Sequence, residues 1–189
     1  MWAARKGREA AGVEAAALSE HALGFVSLIA VYAPTDVCKL DVKEAFYATL
    51  TSVVGKCPRR DIRIELGAFN AVSGCGRDGS EMSVGLHGSG ANLSSENILL
   101  FRGFARAQRI RISGSWYQRS NPHRWAWYSD TDIVAKEIDH ILVSIRWRIL
   151  QNCRVYRSAE FCGTDRLVAA TLRIRFKSPS PVATRRCFT

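Results

Sequence analysis

Tyr32, Asn70, Asp139 and Asp165 are the side chains whose types and places could do chemistry: a phenol, an amide and two carboxylates. They sit in four short segments, VYAPT (31–35), LGAFN (66–70), EIDHILVS (137–144) and GTDRLV (163–168). A carboxylate held beside a histidine can orient it to move protons. No histidine in these segments is placed to do so. His140 follows Asp139 directly, so strand alternation points the two apart, and His21, His87 and His123 lie in unrelated contexts. Six cysteines show no Cys-x-x-Cys spacing, which weakens zinc and dithiol readings.

Strands must carry these groups, and the hydrophobic pattern supplies them. The run from Phe25 to Tyr32, closed by Ala33-Pro34, predicts a strand buried on both faces. Asp36 is expected to cap a helix over 38–55, with Leu40, Phe46, Tyr47 and Leu50 facing inward and Gly55 and Pro58 stopping it. Asp61 to Leu66 predicts the next strand, running into Gly67-Ala68-Phe69-Asn70. After a Gly/Ser-rich loop over 71–93, Ser94 or Ser95 should start a second helix. Leu99, Leu100, Phe104 and Ala107 recur there at helical spacing. Beyond Gln108, short strands are expected at 109–113, 124–128, 137–143, 151–156 and 167–176. Strand–helix–strand–helix followed by a run of strands predicts an α/β (α+β) sandwich with mixed, mostly antiparallel sheets. Residues 1–24, rich in Ala and Glu, predict a helical leader, 25–176 the folded domain and 177–189 a flexible tail.

Charge narrows the partners. The first hundred residues carry 10 Lys and Arg against 11 Asp and Glu, and the remainder 17 against 6. The cationic half is mostly Arg, whose planar fork of donors grips phosphate, so a DNA or RNA backbone is a candidate partner. Trp116, Arg119, Arg124, Trp125 and Trp127 would suit a stacked polyanionic backbone, although such tryptophans more often fill a core. No run approaches the ~20 apolar residues of a membrane span, and no secretory signal opens the chain. Reduced thiols in a nuclear or cytoplasmic setting are the expectation.

The four segments, in this order, resemble the YAPT, GDFN, IDHIL and GTDH motifs of the endonuclease/exonuclease/phosphatase family. RWAWYSD (124–130) is similar to the element that precedes the third motif. Within that DNase I-like family, the resemblance points to the endonucleases of RTE/LINE-type retrotransposons and related host proteins. It implies a four-layer α/β sandwich and Mg²⁺-dependent phosphodiester cleavage. Tyr32 would lie against the phosphate, Asn70 would hydrogen-bond it, and Asp139 would orient the catalytic histidine. Asp165 would stand at the metal end of the site.

Three departures accompany the likeness. Ala68 stands where the motif has an aspartate, and Arg166 where it has the histidine. Arginine stays protonated near neutral pH and is no general base. Upstream of VYAPT no strand-and-loop context resembles the motifs that hold the metal-binding glutamate, so the domain is expected to be truncated by about a third. The resemblance therefore implies a degenerate, catalytically inactive domain with possible sequence-independent nucleic-acid binding and no productive Mg²⁺. A residual Mg²⁺-dependent endonuclease, and a retrotransposon relic or scaffold, are the alternatives.

Overall fold

A computed structural model describes residues 12–18, 26–75, 79–90, 95–120, 123–129, 134–146, 148–161 and 165–174. Among these residues nine strands form two sheets. The larger has the order β1 (Gly12–Leu18), β2 (Val26–Tyr32), β3 (Ile62–Ala68), β7 (Asp139–Ser144), β4 (Ile110–Ile112). The smaller runs β6 (Ala135–Lys136), β5 (Trp127–Tyr128), β9 (Asp165–Leu172), β8 (Leu150–Phe161). β2 and β3 are parallel and the other pairs antiparallel, so the mixed, mostly antiparallel expectation holds.

The parallel pair needs a crossover, and α1 (Leu40–Lys56) provides it. β2 and β3 run in one direction, so α1 returns along the sheet from the end of β2 to the start of β3. With α2 (Glu96–Ala107) it covers one face of the larger sheet. Phe46, Tyr47, Leu50, Phe101 and Phe104 there meet Ile29, Val31, Ile110, Ile112 and Leu142 in the main core. A second cluster, Ile62, Ile64, Val143 and Ile149 with Leu150 and Leu172 beside them, joins the two sheets. Among the described residues the layers are helix, sheet, sheet, three of the four expected.

Several local expectations are corrected. Residues 12–18 form a strand, not a helix: each of the seven pairs with a residue of β2, from Gly12 opposite Tyr32 to Leu18 opposite Val26. Alanine favours helix, but local propensity is a small term and yields to an open sheet edge that can satisfy a whole ladder of hydrogen bonds. The rest of 1–24, and 177–189, lie outside the described residues. Lys39, not Asp36, is the N-cap of α1. Asp36 instead accepts a 2.9 Å hydrogen bond from Ser95 Oγ at the start of α2, which pins the two helix N-termini together. Leu40 is exposed and Lys43 buried in its place, its ammonium held by Glu96 and the Asp36 carbonyl, both at 3.1 Å. The inner stripe of α2 is Ile98, Phe101, Phe104 and Ala105, while Leu99 faces solvent.

Glu65, on β3, is buried on the helix-facing side with Arg63 Nε 2.7 Å from its carboxylate. Burial outweighs that attraction and pushes the carboxyl up to about 7, from 4.5. The folded state thus holds this proton more tightly than the unfolded chain. Stability should be fully present below pH 4.5, fall as pH rises towards 7, and level off above. Glu65→Gln is expected to abolish that fall, worth on the order of 3 kcal/mol. Urea unfolding at pH 4.5 and pH 8 measures it; an equal fall in the variant contradicts the assignment.

Candidate functional site

Strand register builds the site. Tyr32 closes β2 beside Ala68, and Ala68 closes β3 beside Asp139, the first residue of β7. The three therefore form one row across the end of the sheet. Asn70 follows two residues after Ala68. All four line a cleft of about 980 Å³, with Thr35, Asp36 and Ser95 from the helix starts and Trp125, Trp127 and Lys136 from the smaller sheet. Asp165 opens β9 and is paired there with Trp127, which lines the cleft. Three of the four residues singled out from sequence thus share one cavity, and the fourth begins the strand next to it.

The centre of the row is a methyl group. Ala68 offers no carboxylate to the cleft. Glu65 cannot stand in, since odd and even positions of β3 face opposite sides, and Glu65 lies on the helix side. Arg166, at the histidine position, is engaged elsewhere. Its guanidinium lies 3.8 Å from the Tyr128 ring centroid and donates to Tyr128 Oη at 2.8 Å.

His140 is turned to the helix side, where Nε2 donates to the Ala71 carbonyl at 2.7 Å and the ring packs against Phe69 and Phe101. Burial holds its pKa below the ordinary histidine value, against the pull of Glu137 4.0 Å away. Cys153, buried between the sheets, has its thiol pushed up to about 12 by that burial.

Asn70 has a backbone task. Its φ is +48°, a conformation few side chains adopt, and Nδ2 donates to the Ala33 carbonyl at 2.6 Å. That bond ties the turn after β3 to the turn after β2. Asn97 on α2 reinforces it by donating to the Asn70 carbonyl at 2.9 Å. Asn70→Ala should lose about 1–2 kcal/mol of stability, and Asn70→Gly less, because glycine accepts the positive φ. Equal losses in urea titrations would show that the conformation carries no cost.

Sequence reasoning passed over the polar knot beside the cleft. Glu137, 5% exposed, accepts from Ser89 Oγ and, at 3.3 Å, from Arg124, which also donates to the His87 carbonyl. These contacts fasten the loop at 87–89 to the start of β7. Arg119 is likewise spent inward, donating to Asn152 Oδ1. Trp116 carries Arg111 4.4 Å above its ring. Arg119, Arg124 and Trp116 therefore serve the interior, whereas Trp125 and Trp127 do line the cleft. An acid directly before IDHIL was the available signal for Glu137.

The donor set does not fit a hard divalent cation well. Of the acids at the cleft, Glu137 is held by Arg124 and Ser89. Among the described residues no three His, Cys, Asp or Glu side chains converge. None of the helices among those residues is long and apolar enough to cross a membrane.

A search of family models finds no match. Solved structures do match. The endonuclease domain of TRAS1, a telomere-specific non-LTR retrotransposon, superimposes with a TM-score of 0.58 at 13% identity over 86% of this chain and 64% of its own. The 3′ phosphatase NExo from Neisseria, bound to a product DNA hairpin, gives 0.55 at 19% identity over 86% and 70%. An endonuclease/exonuclease/phosphatase family protein from Leptotrichia buccalis gives 0.52 at 9% over 87% and 53%. The fold is that of the endonuclease/exonuclease/phosphatase proteins. With the endonuclease/exonuclease/phosphatase fold settled, the sequence likeness falls into place. Craniofacial development protein 2 of Bos taurus is 26% identical over 154 residues, which are 80% of this chain and 25% of that protein. The chain spans about a quarter of the length of the curated relatives it matches.

Proposed function

We propose that this chain is a degenerate, LINE-type endonuclease-like domain that does not cut phosphodiesters and keeps a sequence-independent affinity for nucleic acid. The row Tyr32–Ala68–Asp139 carries the reading, because a methyl occupies the place of the motif's acid. Tyr32, Asn70, Asp139 and Asp165 are then remnants of a site within a unit spanning 25–176. Arg166 replaces the imidazole and is folded onto Tyr128. Losing one positioned acid or base commonly costs roughly 10²–10⁴-fold in rate, and losses within one catalytic unit do not simply multiply. Among the described residues Mg²⁺ would find Asp139 but no assembled set of acids around it. Support for nucleic acid comes from the Arg-rich second half, and by analogy from the DNA held by the NExo neighbour.

Plasmid incubated with the purified chain and Mg²⁺ or Mn²⁺ should stay supercoiled. Nicking that vanishes in Asp139→Asn would establish a working nuclease and overturn the proposal. A chain that melts without cooperativity would favour the relic over a functional module.

A further inference from the structure

We propose that the end of the sandwich opposite the cleft is a docking surface for the phosphate backbone of nucleic acid. The proposal rests on the affinity suggested above but moves it away from the cleft. β2, β3, β4 and β8 begin at that end, and α1, α2, β7 and β9 finish there. Lys56, Arg59, Arg109, Arg146, Arg148 and Arg173 are all exposed on the segments that meet there.

Hydrogen bonds lock those segments into one surface. Ile145 N–H donates to the Arg109 carbonyl at 3.0 Å, and Arg173 N–H to the Ile149 carbonyl at 2.7 Å. Arg146 Nη1 donates to the Arg59 carbonyl at 2.9 Å, across 87 positions of sequence. Asp61 is the acid found at this end among the described residues. It is buried and accepts from Ser27 Oγ at 2.7 Å.

The cleft end is mixed in charge: Asp36, Glu137 and Asp139 share it with Lys39, Lys136 and Arg124, and Arg124 already pairs with Glu137. A polyanion is therefore drawn to the far pole, where the exposed cations outnumber the acids, more than to the cleft. Five of the six pole cations are Arg, whose paired donors match phosphate oxygens and not merely a negative field. That chemistry favours a phosphodiester over an acidic peptide.

The test is fluorescence anisotropy of a labelled ~20-bp DNA duplex with the full chain, between ~50 and ~200 mM NaCl. One variant carries Arg59→Gln, Arg109→Asn, Arg148→Gln and Arg173→Gln. Asparagine is chosen at 109 because φ there is +54°. It should bind at least ~10-fold more weakly at ~50 mM, with a log–log salt slope shallower by up to about 3.6, given ~0.9 for each of four phosphate contacts. A second variant, Lys39→Gln with Lys136→Gln, strips the cleft end and should bind as the unmodified chain does. Should the fourfold change prevent folding, Arg59→Gln and Arg148→Gln singly should each weaken binding about 2–3-fold.

Unchanged binding in the pole variants overturns the proposal. If the cleft-end variant is the weak one, nucleic-acid affinity stands and its location is wrong. If the unmodified chain ignores DNA at ~50 mM salt, both readings fail. Capture by phosphatidylserine vesicles or polyglutamate without DNA binding overturns the choice of polyanion.

Discussion

Gly67→Ala is expected to lower the melting temperature by about 10 °C. Gly67 sits in the parallel β2–β3 pair opposite Val31 with φ +138°, a region side chains rarely enter. A Cβ there would be driven into the Val31 carbonyl oxygen, far inside van der Waals contact. The obstacle is backbone, so no rotamer change relieves it, and the two strands carrying Tyr32 and Ala68 must part. A cost on the order of 4 kcal/mol is reasonable, against a total stability of roughly 5–15 kcal/mol for a folded domain. At about 2–4 °C per kcal/mol for a chain of this size, calorimetry will see it plainly. A shift under ~2 °C would mean the strands are not paired in this register.

Glu137→Ala should cost about 3 kcal/mol, because it strands a cation. Arg124 is 13% exposed and Glu137 5%, so deleting the acid leaves the guanidinium with only the His87 carbonyl in a largely dry setting. Breaking one side of such a pair is far costlier than exchanging both sides for apolar groups. Arg124→Met on the Glu137→Ala background should therefore recover most of the loss in urea unfolding. Additive losses in the double variant would show that the pair is not coupled. Ser89 loses its acceptor as well, and backbone amides at 87–90 should exchange faster with solvent.

The central strands were legible because β2 is apolar almost without interruption, β3 spaces Ile62, Ile64 and Leu66 at every second position, and β7 holds the run Ile141-Leu142-Val143. Val26–Tyr32, Ile62–Ala68 and Asp139–Ser144 fall close to where the pattern placed them. Motif order then put Tyr32, Asn70 and Asp139 together, since Tyr32 ends β2, Asp139 opens β7 and Asn70 lies two residues past the end of β3. What escaped was set by partners distant in sequence. Gly12–Leu18 has a helix-former's composition, and only the free edge of β2 makes it a strand. Lys43 looks like a surface residue until Glu96, 53 positions away, is seen to receive it. Glu137 gains its role from Ser89 and Arg124. The basic pole was masked by counting charge along the chain. Lys56 and Arg59 come from the near-neutral first half, and folding brings them beside Arg148 and Arg173.

The most direct measurement is a calorimetric titration of the folded chain with Mn²⁺, run beside Ala68→Asp with Arg166→His. Without an assembled ring of oxygens, the unmodified chain should give only weak, unsaturated heats, and restoring the acid and the imidazole should sharpen them. A saturable one-to-one site at micromolar Mn²⁺ in the unmodified chain, lost in Asp139→Asn, would contradict the account.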